Sequence, residues 1–274
     1  MFFDKGMKRF EGKRIVITGA ASGLGRAIAL RFARENWSVC IADIHMERAF
    51  EVAGEVERAG GIALVFECNI SKPEDFQNLA KFIESKWGGA DILVNNAGIS
   101  SSGSLHESSY EEWHHLLDIN LMGVVRGCKV FTPLLAKQAN SHIVNVASFA
   151  GIASAPGMVT YNVAKAGVIS LSESLRHELS ADSIDVSVVC PAFFPTNLME
   201  SMNKEETKAL VTKLMKRSGV TAEDVAEHVY KGIEKRDFML ITHKDARLQY
   251  SMKRLSPDLF HVGMHQILKK MGMV

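Results

Sequence analysis

The chain has 274 residues, 47% of them apolar, with 32 basic and 31 acidic side chains and a formal net charge of +1. That size accommodates one large domain, and the charge balance leaves no basic face for nucleic acid or an anionic membrane. The cysteines, Cys40, Cys68, Cys128 and Cys190, stand in apolar runs without a CxxC pair, as small buried hydrophobes do in a reducing compartment.

The N-terminal run MFFDKGMKRF carries charges where an export signal needs an apolar stretch. No segment reaches the roughly 20 apolar residues of a membrane span. A cytoplasmic location is the expectation.

In chain order, apolar strand-like runs alternate with amphipathic stretches. Strands are expected at residues 14–19, 38–43, 62–68, 91–96, 142–148, 185–190 and 238–242. They are rich in Val and Ile and almost free of charge, as strands covered on both faces read. Helices are expected at about 25–35, 46–59, 73–87, 109–137, 158–180 and 221–235, the third opening on Pro73 and the last capped by Thr221. This order predicts an α/β fold of one domain, a doubly wound parallel sheet of about seven strands with helices on both faces. Residues 191–220 form a proline-bearing loop and a helix-like segment. Residues 245–274 form a helical extension interrupted at Pro257.

The first strand runs into TGAASGLG, with glycines at Gly19, Gly23 and Gly25. A strand that turns tightly into a helix start presents bare N–H groups, and glycines let a pyrophosphate approach them. The second strand ends at Asp43. An acid there accepts from the adenosine ribose hydroxyls and repels a 2′-phosphate, and neither Ser22 nor Ile44 supplies an offsetting cation. NAD is therefore expected over NADP. A plain helix-capping role for Asp43 fits the same position.

Five motifs then occur in order: TGAASGLG at 18–25, NNAG at 95–98, IN at 119–120, NVAS at 145–148 and YNVAK at 161–165. Together they resemble the short-chain dehydrogenase/reductase family over about residues 11–196. The resemblance implies a Rossmann-type domain holding a nicotinamide cofactor. It makes Asn120, Ser148, Tyr161 and Lys165 the catalytic set. Gly19, Ser22, Gly23, Leu24 and Gly25 would line the pyrophosphate turn, with Asp43 at the ribose and Asn69 and Ile70 at the adenine. Asn96, Ala97 and Gly98 would pass beside the adenosine ribose, and Pro191 and Thr196 would border the nicotinamide amide. This chain departs from the family pattern at Asn69, where Asp is usual, and at Ala192, where Gly is usual. Asn69 keeps an acceptor and a donor for adenine, and Ala192 tightens its loop.

Residues four apart share a helix face, so Tyr161 and Lys165 can point into one cleft. Free tyrosine titrates near about 10, and a neighbouring ammonium, together with an oxidised nicotinamide, is expected to lower that value. Tyrosinate then takes the alcohol proton while hydride leaves carbon. The resemblance gives Ser148 the substrate oxygen, Lys165 the nicotinamide ribose, and Asn120 a water that relays protons.

Phe149, Met158, Phe193, Phe194, Leu198 and Met199 fall where the resemblance puts substrate, and most of the 13 methionines follow in the last third of the chain. A hydrophobic alcohol or ketone is the expectation, with plain core packing as its rival. The alternatives for function are an NADPH-dependent reductase of acyl thioesters and a catalytically silent NAD-binding sensor or scaffold. His261 and His265 lack a third ligand, so no metal is expected. GxSxG and GxxxxGK[ST] are absent. The tail after residue 245 fits a cover for the pocket, a subunit contact or, less well, a membrane surface. The resemblance implies a homodimer or homotetramer.

Overall fold

A computed structural model describes residues 6–197 and 218–270, together with Thr212 and Met215. Leu198 and Met199, and most of the helix-like segment expected before residue 218, lie outside the described residues.

The strands are β1 (Arg14–Thr18), β2 (Ser38–Asp43), β3 (Ile62–Glu67), β4 (Ile92–Asn95), β5 (Ser141–Val146), β6 (Ile184–Val189) and β7 (Met239–Leu240). All seven lie in one sheet in the order β3-β2-β1-β4-β5-β6-β7, and every pairing is parallel. The order reverses between β1 and β4, which opens a crevice at their carboxyl ends. Between the strands run α1 (Gly23–Ala33), α2 (Met46–Arg58), α3 (Pro73–Trp87), α4 (Tyr110–Leu117), α5 (Gly123–Leu135), α6 (Ala150–Ala153), α7 (Val159–Glu178) and α8 (Ala222–Lys235). Two further helices, α9 (Lys244–Leu255) and α10 (Pro257–Lys270), follow β7.

Two apolar layers form, one on each face. Phe32 on α1, Val52 and Val56 on α2, Val225 and Val229 on α8, and Trp37 pack together. On the other face Phe76, Leu79 and Ile83 of α3 meet Val124, Cys128 and Phe131 of α5 and Val168 of α7. Helices on both faces explain the nearly unbroken apolar strands. The edge strand β3 departs from that expectation: Ile62 is 64% exposed, because a strand at the sheet margin has a neighbour on one side only.

Two expected helices differ in instructive ways. Thr221 caps α8 through a reciprocal pair with Asp224, as its position predicts. The single helix expected over 109–137 is interrupted: residues Asp118–Met122 form a π turn between α4 and α5. One residue more than an α turn holds is accommodated there, and Asn120, wholly buried, sits at its centre.

The sheet interior also carries a polar ladder. Asn95 and Asn145 are partners in register. Asn95 Nδ2 donates to Asn145 Oδ1 at 2.9 Å, and Asn145 Nδ2 donates to Ser172 Oγ on α7 at 3.0 Å. The ladder ties β4, β5 and α7 together directly beneath the carboxyl ends of the strands.

Candidate active site

The glycine turn is held open from below. Gly19 has φ +64°, and a β-carbon there would lie 2.7 Å from the Ala97 Cα. At Gly25 a β-carbon would meet the Gly19 carbonyl oxygen at 2.2 Å. Only glycine permits that approach. Gly23, at φ +52°, is different: its added β-carbon meets nothing nearer than Thr196 at 3.7 Å, so its outer side faces a gap toward the loop after β6. Ser22, in extended conformation, precedes α1 without capping it, and Leu24 is buried in the core.

Three neighbours fix this turn. Asn96 Nδ2 donates to the carbonyls of Thr18 and Gly19 at 2.9 and 3.0 Å. The Thr18 hydroxyl accepts from Asn96 N and Ala97 N at 3.0 and 3.1 Å. Asp43, 7% exposed, accepts from Ala21 N through Oδ2 and from His45 N through Oδ1, both at 2.9 Å. The plain helix-capping expectation is not met, since α2 has His45 at its N-cap position and no side-chain cap; Asp43 instead braces the glycine turn with a carboxylate at the end of β2.

The adenine-side candidates fare unequally. Asn69 Oδ1 accepts from Ser71 N at 3.0 Å and from Ser71 Oγ at 2.8 Å. Its carbonyl is turned into a local Asx turn, which leaves its amide as the group for a base. Ile70, 8% exposed, packs on Gly123 at the start of α5, where an added β-carbon would meet the Ile70 Cδ1 at 2.8 Å.

Ala97 and Gly98 connect the turn to the other half of the site. Gly98 lies under Asn120 and Lys165: an added β-carbon would come 2.8 Å from Asn120 Oδ1 and 3.6 Å from Lys165 Nζ. Asn120 spends both polar atoms on one residue, accepting from Ile99 N at 2.8 Å and donating to Ile99 O at 2.7 Å. Its side chain is thus a brace for the β4 exit.

Tyr161 and Lys165 stand one turn apart on α7, 6% and 4% exposed. Lys165 Nζ donates to Val146 O at 2.9 Å and lies 5.7 Å from the centroid of the Tyr161 ring. Ser148 Oγ accepts from Ala150 N at 3.1 Å, and its hydroxyl is near enough to the Tyr161 phenol to draw that group's titration down. Burial pushes the Tyr161 phenol up to about 12, with the Ser148 hydroxyl pulling the other way. Burial also holds the Lys165 ammonium down to about 8, opposed by the nearby Cys190 thiol. The chain by itself therefore moves the phenol opposite to the expected direction, because loss of water outweighs an ammonium whose proton is aimed at a backbone carbonyl.

The substrate-side candidates do not form one group. Met158 packs with Tyr161, Leu116 and Met215. Phe149 belongs to the core layer of α3, α5 and α7, Phe194 to the layer of α1 and α8, and Phe193 is 37% exposed. Pro191 O accepts from Phe149 N at 2.8 Å, joining the loop after β6 to the loop after β5. Met215 was not singled out by pattern, and neither was Thr18, which in sequence is an ordinary strand-end threonine.

The cradle fits a nicotinamide dinucleotide on its own geometry: a glycine turn with one open side, an acid at the end of β2, and a buried cation beyond Gly98. Among the described residues no helix is long and apolar enough to cross a membrane.

Comparison with known proteins agrees. A family model described as short chain dehydrogenase matches residues 13–207. The 3-oxoacyl-[acyl-carrier-protein] reductase FabG of Thermotoga maritima is 34% identical over 206 residues, 75% of this chain and 84% of that protein. A short chain dehydrogenase/reductase from Burkholderia phymatum, solved in complex with NAD, superposes with a TM-score of 0.83 at 32% identity, covering 90% of this chain and 96% of that one. The apo form of LigD from a Sphingobium strain superposes with a TM-score of 0.76 at 27% identity, covering 88% and 94%.

Proposed function

The chain belongs to the short-chain dehydrogenase/reductase family, an NAD(P)-dependent oxidoreductase acting on CH–OH groups, and from that premise we propose that it interconverts an apolar secondary alcohol and its ketone with NAD(H) as the preferred cofactor. One observation carries the proposal: Tyr161 and Lys165 are buried together on α7, with the Lys165 Nζ 5.7 Å from the centroid of the tyrosine ring, and Met158, Leu116 and Met215 pack around that tyrosine. The groups that would handle a proton thus meet an apolar wall.

Gly19, Ser22, Gly23, Leu24 and Gly25 would hold the pyrophosphate, Asp43 the adenosine ribose, Asn69 and Ile70 the adenine side, Asn96, Ala97 and Gly98 the ribose flank, and Pro191 and Thr196 the nicotinamide amide. The bound nicotinamide supplies the hydride acceptor or donor. The chain's own residues do the rest. Ser148 Oγ holds the substrate oxygen. Tyr161 Oη takes the alcohol proton in oxidation and returns it in reduction. Lys165 holds a cation within reach of both the phenol and the ribose hydroxyls. Oxidation asks the phenol to lose a proton near neutral pH, against the rise imposed by burial. The added positive charge of the oxidised cofactor favours that loss, so binding and proton transfer are coupled.

The preference for NAD(H) rests on Asp43, whose negative charge stands where a 2′-phosphate would sit. The NAD complex of the Burkholderia relative agrees with this reading. A second reading, NADPH-dependent reduction of a 3-oxoacyl thioester, draws support from the Thermotoga reductase. Absorbance of the reduced cofactor, followed across apolar secondary alcohols, small polyols and a 3-oxoacyl thioester with each cofactor, decides between them. Best turnover of small polyols overturns the apolar assignment, and thioester reduction with NADPH alone installs the second reading.

A further inference from the structure

We propose that the C-terminal helical pair is a two-point clamp on the candidate active site, with Lys253 and His243 as positioning residues for the two backbone segments that flank it. The proposal rests on the reading above that Ser148, Tyr161 and Lys165 carry the reaction. It adds residues that no motif contains.

The first point of contact is α6. A helix of four residues makes too few internal bonds to hold itself, yet its position matters to both neighbours. Ala150 N at its start donates to Ser148 Oγ at 3.1 Å. Gly151 lies so close to α7 that an added β-carbon would meet the Lys165 carbonyl carbon and Ala166 N, each at 2.6 Å. A shift of α6 therefore moves Ser148 and the backbone that carries Lys165. Its exit is fixed from outside: Lys253 Nζ donates to Ile152 O at 2.5 Å. A cation is favoured there, where helix carbonyls end without partners. The same ammonium stands 5.6 Å from the centroid of the Phe260 ring, and that ring is 3% exposed. The second helix of the pair thus holds the lysine that the first helix presents.

The second point is the loop after β6. His243 Nδ1 accepts from Ala192 N at 3.3 Å, with the Thr242 hydroxyl 2.8 Å from the same nitrogen. Its Nε2 lies 3.1 Å from Phe193 O and must donate, since a carbonyl only accepts. One neutral tautomer satisfies both backbone groups, and burial, opposed by the Phe193 carbonyl and Asp245, holds the imidazole below its ordinary value. Ala192 stands where the family usually has glycine, so a side-chain acceptor fixes a loop that is already less free to move. Pro191 O accepts from Phe149 N, so the two clamped segments also hold each other. Ala246, 3% exposed, seats the first helix on the core between the two grips.

The test uses the full-length chain. Lys253→Met keeps the stem and removes the donor, Lys253→Arg keeps a donor, and His243→Leu removes the loop's acceptor. Hydrogen exchange read by mass spectrometry needs no turnover. Lys253→Met is expected to speed exchange of amides 149–154 at least tenfold with the sheet unchanged. His243→Leu is expected to do the same for amides 192–194. With a turned-over ketone, Lys253→Met should lower kcat about tenfold while KM and NADH affinity stay within twofold, and Lys253→Arg should restore both exchange and kcat. Unchanged local exchange in either variant, or a rise spread evenly over the sheet, overturns the clamp. Failure of the wild-type chain to turn over any carbonyl overturns the functional reading instead, and the exchange result still decides the clamp.

Discussion

Lys165 donates to the carbonyl of Val146 at 2.9 Å, two residues ahead of Ser148, so one ammonium is anchored to the strand that delivers the serine while standing beside the tyrosine. The bond orients the cation and only partly replaces the water it has lost, which is why its titration falls to about 8. Protonation then favours the unfolded chain, whose lysine titrates near 10.5. Stability due to this residue rises with pH between those two values and is lowest below about 8. Lys165→Met should therefore abolish turnover yet stabilise the fold at neutral pH, on the order of 2–3 kcal/mol. Thermal unfolding checks it: the advantage of the variant over the wild type should shrink as pH rises toward 10.5.

Tyr161→Phe removes the proposed proton carrier and leaves the ring. Turnover should fall by about a thousandfold, the upper part of what one acid–base group contributes. NADH binding, followed by fluorescence, should stay within a fewfold. The variant also loses a phenol pushed up to about 12 from an ordinary 10. A raised value means the unfolded chain gives up its proton first, so stability from this group is complete below about 10 and declines as pH climbs toward 12. The variant, with no hydroxyl to ionise, has no such decline, and comparison of the two unfolding curves in alkali reads it out.

Asp43 is both a brace and a charge. Asp43→Asn keeps one acceptor for the backbone of the turn and removes the negative charge. The ratio of kcat/KM with NADH to that with NADPH should fall at least tenfold, while the unfolding temperature changes by only a few degrees. An unchanged ratio would mean that Asp43 serves the turn alone.

Asn120→Ala strips Ile99 of partners for both its N–H and its C=O. Fully buried backbone groups left unpaired cost about 1–3 kcal/mol each, and the Ile99 groups are only partly buried. A stability loss in the lower part of the summed range, about 2–4 kcal/mol, is expected from denaturant unfolding. Asn120→Asp sets a carboxylate oxygen against the Ile99 carbonyl in a wholly buried position, and should cost at least as much at neutral pH.

Much of this site was legible because its pieces are short and local. A strand ending in glycines, an acid closing the next strand, and a phenol and an ammonium one turn apart are patterns within a few residues, and backbone geometry converts each into a place. The Asx turn at Asn69 was also local, since Ser71 follows two residues later, and it was the amide-carbonyl orientation that sequence reading left undirected. Other features had no local signal. Lys253 reaches back 101 residues to Ile152, and His243 reaches 51 residues to Ala192, so only the folded sheet brings them to the site. The rise that burial imposes on the Tyr161 phenol had no local signal for a related reason: spacing gives proximity to a cation but not how much water both groups have lost.

The π turn at Asp118–Met122 gives the chain an unusual kind of tolerance. Its wider winding takes up one residue more than an α turn, so removing one residue there would let α4 and α5 fuse into regular winding with the Phe131 face of α5 still turned to the sheet. Such a deletion would forfeit the placement of Asn120 opposite Ile99, whereas a deletion within α5 would turn every later residue of that helix by about 100°. Natural length variation in this lineage should therefore fall within these five positions sooner than in the helices on either side.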